Sequence, residues 1–387
     1  MRYRATLALL ASTLIPPVTA AAQAPAAATP SSRVDWARVA DLVVARSLGL
    51  QPGQRVVLFH TPALDRGALP AMRDAIGRAG GVLAGEIVPP GAAALAARSA
   101  MAPRERARID AREDSAWARV FGAADAAIWL PTDLGAVLAR LSFERLVEGA
   151  RRVRSVHFHW FLPPDEGDVA LVDSLYEAAI AVPPAEIRAV NDRLTAALRG
   201  ATVRVTAPNG TDLTFRVPAT AWVHGNDGDA SRIKGRAVRD REEELPAGVW
   251  RTTGVAAAEG SLVGHLSFDT RSPVVAARFE KGRAVELGSL RDAGETVTAW
   301  EAATGDKRLM SEFVIGTNPA LPPTLASGFM PYYAYGAGTV RFSIGDNWES
   351  GGPQRASSGG SVLFFVPDAT VLVDGEPVIE RGRLRQR

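Results

Sequence analysis

The chain reads as an α/β domain, a parallel sheet wrapped by helices, followed by a mostly β domain. Three observations predict this. The 387 residues exceed what one ordinary core holds. Helical periodicities and short apolar runs alternate from 33 to 199, the pattern of a parallel sheet covered on both faces. Beyond Gly200 that texture gives way to strands of period two punctuated by Gly-centred turns.

In order, apolar residues at helical spacing predict a helix from Val34 to Leu48, ended by Gly49 and the Gln51-Pro52-Gly53 turn. Arg55 to His60, RVVLFH, is a near-continuous apolar run and therefore a strand buried on both faces. The cycle repeats with a helix over Leu64 to Arg78, a strand over Val82 to Val88, a helix over Arg104 to Phe121 and a strand over Ala126 to Leu130. A helix over Leu134 to Arg152, a strand over Ser155 to Phe161 and helices over Val169 to Ile180 and Pro184 to Leu198 complete the first half. The second half opens with two alternating strands joined at Asn209-Gly210, the dipeptide of a tight hairpin. Trp300 to Leu309 reads as its clearest helix, and TVLVDGEPV, from Thr370 to Val378, as a closing hairpin turning at Asp374-Gly375.

The N-terminus has the layout of a secretory signal peptide over 1–22. Arg2 and Arg4 precede an apolar run to Val18, and Ala20 to Ala22 supply small residues for cleavage. An Ala/Pro/Ser-rich leader over 23–32 follows, with the α/β domain expected over 33–199 and the β-rich domain over 200–387. The apolar run is broken by Pro16 and Pro17, and no later segment is long enough for a bilayer span of about 20 residues. A periplasmic or secreted protein is expected. With no Cys, the chain depends on neither disulfides nor thiolate chemistry. Its 44 basic residues nearly balance 42 acidic ones, which leaves no electrostatic footprint for nucleic acid.

Nucleophile-elbow, phosphate-loop, zinc-helix and dinucleotide-binding signatures are all absent. His157 and His159, two apart on a strand, point the same way as a metal pair would, but next to Trp160 and Phe161 they read as a strand end at a partly buried surface. HGNDGD, with His224, Asp227 and Asp229, lacks the calcium-loop spacing and reads as a polar surface turn. Asp240 to Glu244, DREEE, reads as a solvated charge run.

Chemistry concentrates in Ser311 to Gly352. A strand ends at a GTNP turn containing Asn318 and Pro319, and a second strand, Thr339 to Ile344, runs into a Gly345-Asp346-Asn347 turn. Placed at the ends of neighbouring strands, these turns would gather Glu312, Arg341, Asp346 and Glu349. Asp346 and Asn347 also suit the ordinary role of Asx residues, bonding their own backbone.

The phrases VTAPNGTDLTFRV, LPAGVW, EFVIGTNP, GAGTVRFSIGDN and TVLVDGEPVIERGRL, in this order, resemble metallopeptidase family 29, the aminopeptidase T and aminopeptidase S group of two-metal exopeptidases. SLGLQPGQRVVLFH resembles the opening of the same family. The resemblance spans nearly the whole mature chain and implies a divalent metal (zinc, cobalt or manganese), peptide substrates and a homodimer. Carried across residue by residue, it retains Glu312 as metal ligand. A ligand Glu falls on Val249, a His on Arg341, a Tyr on Trp348, and the closing His and Asp near Gly360 and Val362.

Two readings follow. In one, an exported aminopeptidase uses Glu312, Asp346 and Glu349 for catalysis, with His224 or Asp227 as further ligands, and Arg341, Trp348 and Asn318 hold the substrate. In the other, the fold is catalytically degenerate, binds no metal, and serves as a periplasmic binding or scaffold protein in which Arg341 beside Glu312 recognises a peptide or small anion.

Overall fold

The computed structural model describes residues 34–60, 67–88, 94, 97–98, 100–130, 153–232 and 238–385. The expected signal peptide, the leader and the helix over Leu134 to Arg152 lie outside them. Strand β1 (Arg55–His60) is buried on both faces and pairs in parallel with β2 (Val82–Ile87) and β3 (Ala126–Leu130). Beyond β3 comes β4 (Arg154–Phe158), again parallel.

Helices wrap this sheet as the periodicity predicts. α1 (Trp36–Asp41) starts where the Asp35 carboxylate caps the Arg38 N–H at 3.0 Å and continues as wider-wound turns to Ser47. α2 (Ala68–Arg78) buries Ala68, Met72, Ala75 and Ile76, one stripe at helical spacing. α3 (Pro103–Gly122), α4 (Val169–Ala181) and α5 (Pro184–Leu198) follow, α3 and α5 each starting on a proline whose missing N–H costs nothing there.

The second half is a sheet of thirteen strands among the described residues. β5 (Thr202–Thr206) and β6 (Asp212–Arg216) form the expected hairpin, their alternate residues buried. β7 (Val223–Asn226) pairs β9 (Val249–Thr252), and β10 (Ala256–His265), β11 (Val274–Glu280) and β12 (Arg283–Arg291) form an antiparallel meander. β13 (Met310–Gly316), β14 (Val340–Ile344) and β15 (Val362–Val366) are the adjacent central strands. β16 (Thr370–Val373), β17 (Glu376–Glu380) and β18 (Arg383–Leu384) close the edge, with β16 and β17 as the expected final hairpin. The fold class is therefore as read from the sequence: a parallel α/β half and an antiparallel β half.

Two segments depart from expectation. The helix expected over Trp300 to Leu309 is α6 (Gly294–Ala302) instead, and Trp300 lies in its last turn. The chain then turns back at Gly305, where Lys307 Nζ donates to the Trp300 and Glu301 carbonyls and the Trp300 indole donates to the Lys307 carbonyl. The second departure is DREEE. Glu242 to Leu245 form β8, a buried fifth strand of the first sheet, parallel to β4 although it comes from the second half of the chain.

The first half and one face of the second share a core in which Val156, Phe158 and Tyr176 meet Val249, Val314, Tyr332 and Phe365. The opposite face of the large sheet has its own core around Phe215, Trp250, Phe313 and Phe342. Asn318 ties the halves at the seam. Its fully buried amide donates to the Ala179 carbonyl of α4 at 3.2 Å and the Ala247 carbonyl at 2.6 Å, and its Oδ1 accepts from Ala320 N–H at 2.9 Å. Gly248 permits this approach, because a Cβ there would lie 2.6 Å from the Asn318 nitrogen. Replacing Asn318→Ala strands two buried carbonyls and should lower stability by about 2–6 kcal/mol, at about 1–3 kcal/mol per unsatisfied group. Denaturant unfolding measures this, and an unchanged midpoint would leave Asn318 available for a ligand role instead.

Candidate functional site

The candidate site grows from β8. Strand alternation sends Glu242 and Glu244 to one face and Glu243 to the other, where the Glu243 carboxylate accepts the Gly228 N–H at 2.8 Å. Far from being solvated, Glu242 is 2 % and Glu244 6 % exposed, and Arg239 and Arg241 are buried with them. Burial of so many charges is tolerable only where they neutralise one another.

Glu244 is the hub. Its Oε1 accepts from Arg239 Nη1 at 2.5 Å, and its Oε2 accepts from Arg251 Nη2 at 2.7 Å and from the Tyr335 hydroxyl. Arg239 Nη1 also reaches Glu242 Oε1 at 3.4 Å, and its Nη2 donates to Glu349 Oε2 at 2.5 Å. From β4, His157 Nδ1 stands 3.4 Å from the same Glu242 oxygen, its ring stacked 3.7 Å from Trp129. His157, Glu242 and Glu244 each offer one ligand atom within 4.8 Å of the others, a buried group able to hold a cation.

Arg251 extends the network onto the second sheet. Register places His224, Arg251, Val314, Arg341, Phe365 and His265 in one row across β7, β9, β13, β14, β15 and β10. Directly opposite residues share a sheet face, so the two guanidiniums flank Val314 on the side turned to the first half. Arg251 is 1 % exposed. Burial opposes its charge, yet the Tyr335 and Glu244 oxygens hold its pKa above the ordinary value. Burial likewise pushes the Tyr335 and Tyr332 phenols upward, so both remain protonated donors.

The residues expected from the sequence divide. Glu312, Arg341 and Glu349 do gather here: Arg341 Nη2 lies 3.9 Å from Glu312 Oε2, Ser350 Oγ donates to Glu312 Oε1 at 2.6 Å, and Glu349 binds Arg239. The Arg341 guanidinium also lies over the Tyr333 and Phe365 rings, 5.9 and 5.8 Å from their centroids. Asp346 closes an Asx turn on the Trp348 N–H at 2.9 Å, and desolvation raises its pKa. Trp348 packs on the core of the first sheet, and the Asn318 amide is engaged by backbone at the seam.

HGNDGD is not a surface turn. His224 and Asp227 are buried, the His224 ring stacks over Trp222, and Arg188 pairs with Asp227 at 2.7 Å and Asp229 at 3.0 Å. Sequence reasoning missed Arg239 and Arg251, and it read Glu242 and Glu244 as solvated. The available signal was the position of three glutamates directly before the apolar LPAGVW, where a charge run borders residues that must be buried.

At Glu312 the donors do not suit a divalent pair. Val249 offers no ligand, the neighbouring charge is the Arg341 guanidinium, and one carboxylate oxygen already accepts from Ser350. Several anionic or imidazole ligands are required to offset dehydration of two such ions.

No protein-family model and no curated protein matches the chain. Among solved structures, AmpT of Thermus thermophilus, aminopeptidase T, superposes with a TM-score of 0.64 at 20% identity, covering 91% of this chain and 99% of its own. A 2,5-dihydroxypyridine dioxygenase from Pseudomonas putida KT2440 superposes with a TM-score of 0.63 at 14% identity, covering 91% and 97%. The chain thus has an aminopeptidase-like fold.

Glu244→Leu removes one partner from a buried network and should cost about 3–5 kcal/mol of unfolding free energy. Chemical denaturation checks it; a loss below about 1 kcal/mol, the ceiling for most exposed pairs, would show that the network is solvated.

Proposed function

We propose that this protein is an exported, aminopeptidase-like protein that binds a carboxylate-bearing ligand, a peptide or small organic anion, and does not carry out two-metal hydrolysis. The observation that carries the reading is the pair of guanidiniums on one sheet face. Arg251 Nε and Nη1 and Arg341 Nε are buried with no hydrogen-bond partner among the described residues, and so is the Tyr332 hydroxyl. Buried donors without partners are costly, and an anion entering from the seam would satisfy them. Guanidinium suits a carboxylate because its planar donors match the two oxygens.

Within this reading, Arg341 and Arg251 anchor the anion and Tyr332 donates a further hydrogen bond. Glu312, held by Ser350, keeps Arg341 oriented and sets a requirement for a positively charged or hydrogen-bond-donating group next to the carboxylate, as a zwitterionic amino acid or peptide supplies. Glu349, Asp346, Trp348 and Asn318 support the loops around these groups. Export rests on the N-terminal signal layout, and a homodimer on the family resemblance alone.

A panel of aminoacyl-chromophore substrates, assayed with excess zinc, cobalt or manganese, should give no turnover that depends on Glu312. Amino acids, dipeptides and small dicarboxylates screened by thermal shift should include stabilising ligands, and Arg341→Gln should remove that stabilisation. Chelator-sensitive turnover abolished by Glu312→Gln would overturn the proposal in favour of an active aminopeptidase.

A further inference from the structure

We infer that His157, Glu242 and Glu244 form a divalent-cation site that Arg239 keeps closed. The inference concerns the first sheet and stands apart from the anion reading at Arg251 and Arg341. Its ligand set is one imidazole nitrogen and two carboxylate oxygens, all buried. Three protein ligands of this kind suit a borderline ion such as zinc or cobalt, with a fourth position left over. The separation of His157 Nδ1 from Glu242 Oε1, 3.4 Å, already matches the edge of a tetrahedron with bonds of about 2.1 Å.

The occupant of that space is a guanidinium. A single nitrogen, Arg239 Nη1, contacts the oxygens of both Glu244 and Glu242, at 2.5 and 3.4 Å. It therefore supplies to both carboxylates the positive charge that a bridging metal would supply. Arg239 is itself anchored from outside the triad by Glu349, through Nη2. A guanidinium stays charged at any working pH, so titration does not vacate the position.

What surrounds the triad is built as the outer shell of a metal centre is built. The oxygen of Glu244 that Arg239 does not use is held by Arg251 at 2.7 Å and by the Tyr335 hydroxyl, which leaves Oε1 to face the triad. The His157 ring is fixed in plane by stacking on Trp129 with an interplanar angle of 18°. Withdrawal of Arg239 would leave Glu242 and Glu244 to balance a divalent charge, with water completing the coordination. Apparent affinity is then the intrinsic affinity multiplied by the fraction of molecules in which Arg239 has moved aside.

Cobalt(II) is the probe, because its visible absorption reports coordination. Equilibrium dialysis against Co²⁺ should show Arg239→Gln binding one ion at least about tenfold more tightly than the native protein, with a tetrahedral-type spectrum. The double variant H157A with R239Q should lose both uptake and spectrum. A folded Arg239→Gln protein that takes up no more cobalt than the native protein, or uptake indifferent to His157, overturns the inference. Should Arg239→Gln fail to fold, Glu349→Gln decides: it loosens the anchor of Arg239 while keeping the guanidinium, and must raise cobalt uptake in a His157-dependent manner. No rise there overturns it equally.

Discussion

The carboxylate of Glu244, sealed between two sheets, is the constraint on which the rest of the molecule turns. A lone buried carboxylate is untenable, so the fold must deliver cations to it. One comes from the short turn before β8, Arg239, and the other from β9 on the second sheet, Arg251. Because β8 belongs to the first sheet and β9 to the second, satisfying this one charge locks the two sheets in register with one another. The apolar seam of Val156, Phe158, Val249 and Val314 supplies the adhesion, and the ion pairs supply the alignment. Apolar contact alone is nondirectional and tolerates sliding, whereas a carboxylate with three donors does not.

Much of this architecture was legible in the residues. Buried strands such as RVVLFH and the alternating pair around Asn209-Gly210 announce themselves because each element's pattern reflects its own environment. DREEE could not be read that way. Hydropathy treats a segment as if it were alone, and the burial of Glu242 and Glu244 depends on charges brought from Arg251 and on His157, nearly ninety residues earlier. Of the candidate site, Glu312, Arg341 and Glu349 were found because the turns that carry them are dense in polar groups. The hub was not found, because a run of like charges ordinarily means solvent. The misplaced helix over Trp300 to Leu309 has a similar origin: Lys307 folds back on α6 through carbonyl contacts that no periodicity encodes.

The aminopeptidase-like fold and the polar lining separate cleanly in this molecule. Phe313, Phe342 and Phe364 on one face of the central strands are fully buried and hold β13 to β15 together whatever the other face carries. Residues at alternate positions, Glu312, Arg341 and Ser343, can then change identity without altering the backbone. A scaffold of this kind can vary its polar lining and remain the same fold, which is why likeness of fold carries so little about chemistry.

The charge balance across the seam explains how so many ionised groups are buried without collapse of the site. Among the described residues the carboxylates of Glu242, Glu244, Glu312 and Glu349 lie against the guanidiniums of Arg239, Arg251 and Arg341. Each guanidinium spreads one charge over several donors and can bridge two acids, as Arg239 does. A metal concentrates two charges at a point and requires its ligands to converge there. The arginine arrangement is therefore looser in geometry, and it leaves nitrogens of Arg251 and Arg341 without hydrogen-bond partners among the described residues. A site neutralised by bridging guanidiniums keeps hydrogen-bonding capacity beyond its ion pairs, and that capacity is what the proposed anionic ligand would use.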